Sequence, residues 1–223
     1  MCRTRVKICG ITRIADGVAA AHAGADAIGF VFWQGTPRVI AADAARAIAD
    51  ALPPFVTIVG LFVDPAPEHV RATLAALPLD LLQFHGAETA DFCRAFGRPY
   101  IKAIAVGSEA TRVDLLECAR VYSDARGLLF DAPPSGGIPG GTGHAFDWDM
   151  LPKQLPLPLV LSGGLTAVNV GDAIRRVRPC AVDVSSGVEV IGPEGKPIRG
   201  LKDPSRIAAF IEEVRNADGR SPV

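Results

Sequence analysis

The feature that most limits what this chain can fold into is a rhythm. Short apolar runs end at Cys9, Trp33, Asp64, His85, Val106, Asp131, Ser162 and Ser186, eight runs in 223 residues. They are spaced by roughly 20 to 30 residues, the length of a strand–helix unit. Most are rich in Val, Ile, Leu and Phe, and several show almost no polar alternation. Strands buried on both faces look like that, and parallel sheets are buried on both faces.

Helical stretches fall between the runs. Ile14–Ala23 is Ala-rich and is followed by Gly24 as a C-terminal stop. Residues 41–51, 67–77, 88–96, 109–121 and 167–177 follow the same plan, most ending at or near Pro or Gly. The last helix, 204–214, has Asp203 as its expected N-cap and Pro204 at the first helical position. The sixth unit is thin, with room for about one turn at 146–151. Residues 192–200 (GPEGKPIRG) read as an exposed loop inserted before the last helix, and 216–223 as a frayed tail. The catalytic domain is therefore expected to span 1–215.

Alternating strands and helices allow an open doubly wound sheet or a closed barrel. An open sheet usually carries a Gly-rich fingerprint after its first strand. Here that strand runs into Cys9-Gly10-Ile11-Thr12, and the glycine-rich turns follow strands six, seven and eight instead. The expected class is α/β, a single (β/α)8 TIM barrel.

The net charge is −1, which argues against a nucleic-acid or anionic-membrane surface. Five cysteines at wide spacings, with no C-x-x-C, fit neither a disulfide framework nor a standard zinc site. A reducing cytoplasm is the simplest setting. No secretory leader is expected, and no apolar run reaches the ~18 residues of a membrane span.

Barrel sites lie at the C-terminal ends of the strands. That rule selects Cys9, Arg38, Asp64, His85, Asp131, Ser162-Gly163-Gly164 and Ser185-Ser186-Gly187. Glycine lets backbone N–H groups approach an anion closely, and two such loops after strands seven and eight form an expected phosphate cradle. Cys9 and Asp131 lie on strands nearly opposite each other, an arrangement suited to a general base and a general acid. The start of the first helix is expected to lower the Cys9 thiol pKa. Taken alone, Cys9 reads as readily as a small buried residue, and Asp131 as a loop hydrogen-bonding group. Asp64 is most simply a helix cap. His85 shares side-chain parity with Gln83, so both are expected to face the barrel interior. By the same parity Lys7 and Asp183 point inward on neighbouring strands, and an ion pair is expected beneath the site.

These residues resemble the phosphoribosylanthranilate isomerases. The resemblance begins at Lys7-Ile8-Cys9-Gly10-Ile11-Thr12 and continues through Gly29-Phe30-Val31-Phe32, Pro37-Arg38, Val59-Gly60-Leu61-Phe62-Val63 and Leu82-Gln83-Phe84-His85-Gly86. It extends through Lys102-Ala103-Ile104, Asp131-Ala132, Gly140-Gly141-Thr142-Gly143, Phe146-Asp147-Trp148, Leu161-Ser162-Gly163-Gly164-Leu165 and Asp183-Val184-Ser185-Ser186-Gly187-Val188-Glu189. It implies a cofactor-free Amadori rearrangement of N-(5-phosphoribosyl)anthranilate in tryptophan biosynthesis. By resemblance, Asp131 is the general acid, Cys9 the general base, and Arg38 the carboxylate holder. His85 lines the site, and Gly163, Gly164, Ser185, Ser186 and Gly187 hold the phosphate. Gly141 and Gly143 belong to a cover over the substrate. A monomer or weak homodimer is expected. The competing readings are a histidine-pathway phosphosugar isomerase, which uses two aspartates, and a non-catalytic phosphate-binding barrel. A metal-dependent hydrolase would need clustered histidines, and the four here are scattered.

Overall fold

Each apolar run forms a strand, and the computed structural model describes residues 3–107, 114–133 and 146–219. The strands are β1 (Arg5–Cys9), β2 (Ala27–Val31), β3 (Thr57–Phe62), β4 (Leu81–Phe84), β5 (Tyr100–Ala105), β6 (Leu128–Asp131), β7 (Leu159–Leu161) and β8 (Ala181–Val184). They pair in sequence order, and β8 returns to β1 to close a barrel. The closing register sets Lys7 opposite Asp183.

The helices are α1 (Ile14–Ala23), α2 (Ala42–Asp50), α3 (Pro67–Ala76), α4 (Ala90–Arg94), α5 (Leu115–Val121), α6 (Val170–Val177) and α7 (Pro204–Ala217). Gly24 ends α1 in the left-handed region, and its N–H donates back to the carbonyls of Ala20 and Ala21. The Asp203 carboxylate accepts from the backbone N–H groups of Ser205 and Arg206, so it caps α7. Only one 3-10 turn, Trp148–Met150, is described in the sixth unit. Of the helix expected over 109–121, residues 115–121 are helical and 109–113 lie outside the described residues.

Alternation along the strands sorts side chains into two cores. Phe30, Phe62, Phe84 and Phe130 point outward from β2, β3, β4 and β6, are fully buried, and pack under the helices. The barrel interior is filled in layers, as a packed core rather than a pore. Ile101, Ala103, Leu129 and Val160 form a lower apolar cluster. Cys9, Val31 and Leu61 form another, beside Trp33 and Val63.

Three expectations are corrected. The 192–200 segment is not simply an exposed loop. Glu189–Ile191 (β9) and Pro197–Lys202 (β10) pair as an antiparallel hairpin, with Glu189, Gly200 and Lys202 buried. The sequence hides this because the flanking strands are short and one bears Pro and Gly. Asp64 does not cap α3, whose N-cap is Ala66. Its carboxylate instead accepts from the N–H of Ala87 at 2.6 Å, joining the loops after β3 and β4. The last helix runs on to Ala217, and Asp218 accepts from the backbone N–H and hydroxyl of Thr4 at 2.7 and 2.8 Å. Of the segment expected to fray, residues 216–219 thus continue the fold and 220–223 lie outside the described residues. Among the described residues, no helix is long and apolar enough to cross a membrane.

Candidate active site

The C-terminal ends of the strands surround an open cleft. Cys9, Arg38, Gln83, His85, Asp131, Ser162, Asp183 and Ser185 line it, with Val31, Trp33, Leu61 and Val63 as an apolar wall. Cys9 comes from β1 and Asp131 from β6, and both are buried.

Directly beneath Cys9 sits the ion pair expected from parity. Lys7 Nζ lies 2.9 Å from Asp183 Oδ1, and both side chains are 6 % exposed. Gly29 makes room for it: a Cβ there would lie 2.9 Å from both Cys9 Sγ and Lys7 Cε. Burial pushes the Cys9 thiol up, while the neighbouring Lys7 ammonium pulls it back down. The thiol ends above its ordinary value, not below it as the helix-start argument expected. Desolvation of a thiolate left only 5 % exposed outweighs the partial charge of a helix end.

Asp131 is held from two sides. Its Oδ1 accepts from the N–H of Ala132 at 2.8 Å, and its Oδ2 lies 3.2 Å from His85 Nε2. The Gln83 amide nitrogen is 3.0 Å from His85 Nδ1. An amide N–H donating to Nδ1 leaves the ring proton on Nε2, facing Asp131. Gly163, at φ +83, follows β7, and a Cβ there would sit 2.6 Å from the Ala132 nitrogen and 3.1 Å from Asp131 Oδ1. Only glycine allows this loop to close against the carboxyl group.

Gly164 continues the same loop, and Asn169 ties it to α6 by donating from its side-chain amide to the Gly164 carbonyl at 3.0 Å. Ser185, Ser186 and Gly187 follow β8 beside it, ending in a 3-10 turn at Ser186–Val188. Arg38 projects from the loop after β2 and is nearly buried. Gly141 and Gly143 lie outside the described residues.

Two charged residues near the site have no role assigned by the sequence: Glu189, which appears only as the last residue of a motif, and Lys202. Glu189 and Lys202, both fully buried, flank Arg38: Glu189 Oε1 is 2.7 Å from Arg38 Nε and 3.2 Å from Lys202 Nζ. They stand at the two outer ends of the hairpin, flanking the 192–200 segment expected to be a loop. Lys102, recognised only as part of a motif, is paired with Glu88 at 3.2 Å and donates to the Gly86 carbonyl at 2.6 Å. Glu88 accepts in turn from the N–H groups of Asp64 and Gly86, which pins the loop carrying His85. A charged residue inside an apolar run was the available signal for Lys102.

Fold and site together define a (β/α)8 barrel with a thiol and a carboxyl facing one cleft at its C-terminal end. A family profile described as N-(5'-phosphoribosyl)anthranilate isomerase matches residues 6–213. The chain belongs to that family. It is 54 % identical over 216 residues to the N-(5'-phosphoribosyl)anthranilate isomerase of Dechloromonas aromatica, covering 97 % of this chain and 98 % of the relative. The solved phosphoribosyl anthranilate isomerase of Thermotoga maritima superposes with a TM-score of 0.81 at 39 % identity, covering 97 % of this chain and 99 % of that one. Another solved isomerase, in complex with reduced 1-(o-carboxyphenylamino)-1-deoxyribulose 5-phosphate, superposes with a TM-score of 0.75 at 38 % identity, covering the same shares.

Proposed function

We infer that this chain isomerises N-(5'-phosphoribosyl)anthranilate to 1-(o-carboxyphenylamino)-1-deoxyribulose 5-phosphate, a step of tryptophan biosynthesis. The observation that carries the reading is the pairing of Cys9 and Asp131 on one cleft, in a chain whose family bears this activity in its name.

Asp131 is the general acid. It protonates the furanose ring oxygen, the C1'–O bond breaks, and the anilino nitrogen lone pair forms the Schiff base. Cys9, as thiolate, removes the C2' proton to give the enolamine, and transfer of the enol proton to C1' completes the ketone. No atom or electron is gained or lost, so the rearrangement calls for no cofactor. Lys7 is the counter-ion that makes the Cys9 thiolate accessible despite burial. His85 holds the Asp131 carboxyl in place across their 3.2 Å contact, and after product leaves Cys9 gives up the proton it took and Asp131 regains one through solvent, which restores both groups.

Arg38 holds the anthranilate carboxylate through its planar fork. Gly163, Gly164, Ser185, Ser186 and Gly187 take the phosphate at the far end, and family resemblance adds Gly141 and Gly143 to the substrate-binding set. Reducing cytoplasm suits the chain, whose described cysteines, Cys9, Cys93, Cys118 and Cys180, are all free thiols.

Anthranilate fluorescence tests the assignment, with the labile substrate generated in place. Native protein should consume it rapidly. Cys9→Ser and Asp131→Asn should each lose about a hundredfold or more in kcat, the scale of one general acid or base. No turnover by folded native protein would overturn the assignment. Full activity in one variant would remove that residue from the mechanism.

A further inference from the structure

The buried hairpin charges next to Arg38 are not among the residues that line the cleft, yet they are arranged around Arg38, which is. Glu189 is fully buried and collects four donors. Its Oε1 accepts from Arg38 Nε at 2.7 Å, the Gly200 N–H at 2.8 Å and Lys202 Nζ at 3.2 Å, and its Oε2 accepts from Arg38 Nη2 at 2.9 Å. Lys202, also fully buried, gives its remaining bonds to the Ser185 carbonyl at 2.9 Å and the Ser185 hydroxyl at 3.2 Å.

A guanidinium has two edges that can each take a carboxylate, one through Nε and Nη2 and the other through Nη1 and Nη2. Glu189 takes the first. The Nη1 and Nη2 edge is therefore the one Arg38 can turn to a ligand. Charge follows the same logic. Arg38 and Glu189 alone would form a neutral pair with little pull on a carboxylate. Lys202 restores one net positive charge, and its bonds to Ser185 tie that charge to the loop after β8.

We propose that Glu189 and Lys202 are positioning residues for carboxylate recognition, Glu189 fixing the edge that Arg38 presents and Lys202 keeping the cluster cationic. The proposal rests on the isomerase reading given above. It makes the hairpin a part of substrate selection that never touches substrate.

Two ligands separate this role from a merely structural one: reduced 1-(o-carboxyphenylamino)-1-deoxyribulose 5-phosphate and the same compound without its carboxyl group. Binding of each is measured by calorimetry to native protein, Lys202→Met and Glu189→Gln. Lys202→Met should weaken the carboxylated ligand about tenfold or more, as expected for a full charge removed from a low-dielectric site. It should weaken the other ligand by a clearly smaller factor, since Lys202 also holds Ser185 of the phosphate loop that both ligands share. Glu189→Gln should also weaken the carboxylated ligand severalfold, although it makes the cluster more positive. Should Lys202→Met fail to fold, Lys202→Gln, which retains hydrogen-bonding atoms without the charge, gives the same reading.

Equal losses for both ligands, or none, would overturn the proposal and leave the isomerase assignment standing. Tighter carboxylate binding by Glu189→Gln would overturn the aiming role of Glu189. Native protein that binds neither ligand would overturn the assignment and the proposal together.

Discussion

At the scale of single residues, the site depends on charges that are buried in pairs. Removing one partner leaves the other desolvated and alone, which costs about 3–5 kcal/mol. Lys7→Met strands Asp183 in this way and takes away the cation beside Cys9. The variant should lose stability by that margin in urea unfolding, and the rising limb of its kcat–pH profile should move to higher pH. A stability loss without the alkaline move would leave Lys7 as a structural ion only. Gly163→Ala acts through space rather than charge. The added methyl would press on the Ala132 nitrogen at a φ that L-residues rarely adopt. We expect kcat to fall about tenfold or more because the Asp131 carboxyl is pushed from its place, a loss read from initial rates at saturating substrate. The Lys7–Asp183 pair was legible in the sequence, because strand parity and the neighbouring of first and last strands suffice to place it. The state of the Cys9 thiol was not legible. Its direction depends on how completely the barrel excludes water, a property of the packed whole.

At the scale of elements, the strands were legible to within about two residues at most of their ends, since their apolar runs are long against the noise of single positions. The hairpin was not. Its three-residue β9 and its Pro- and Gly-bearing β10 carry little pattern, and the two buried charges look from the sequence like marks of exposure. Burial lowers the Lys202 ammonium to about 8, with Glu189 pulling it up and the Arg38 charge pushing it down. Cys9 also bears on it across the barrel mouth, and the Asp16 carboxylate holds its backbone N–H at 3.0 Å. The folded lysine thus sheds its proton well before an ordinary one. KM for the carboxylated substrate should rise as pH passes about 8, and this rise should be absent in Lys202→Met, whose KM is already high. Steady-state KM profiles between pH 7 and 9 decide it, read apart from kcat, which carries the titration of Cys9.

At the scale of the whole molecule, alkaline pH is where the fold should yield. Cys9, Cys93 and Tyr100 are buried, and burial raises all three, Cys93 to about 12. In the unfolded chain, cysteine ionises from about pH 8.5 and tyrosine from about 10. Above those values the folded state holds more protons than the unfolded one, so stability is full below pH 8.5 and is lost as pH rises. Lys202 works in the opposite sense but is a single group. Urea midpoints should fall from about pH 8.5 upward, by a few kcal/mol in total at pH 11. A flat profile would mean that these groups are wetter than their packing indicates. The barrel seam adds a different consequence. β1 pairs with β8, the Gly200 carbonyl accepts from the Thr12 hydroxyl at 2.6 Å, and Asp218 fastens Thr4. β1 therefore waits for the chain to be made as far as β8 before its open edge is covered. An unpaired edge is an invitation to other chains. Until β8 arrives, the growing sheet is a ribbon with a live border, and only then does it become a ring.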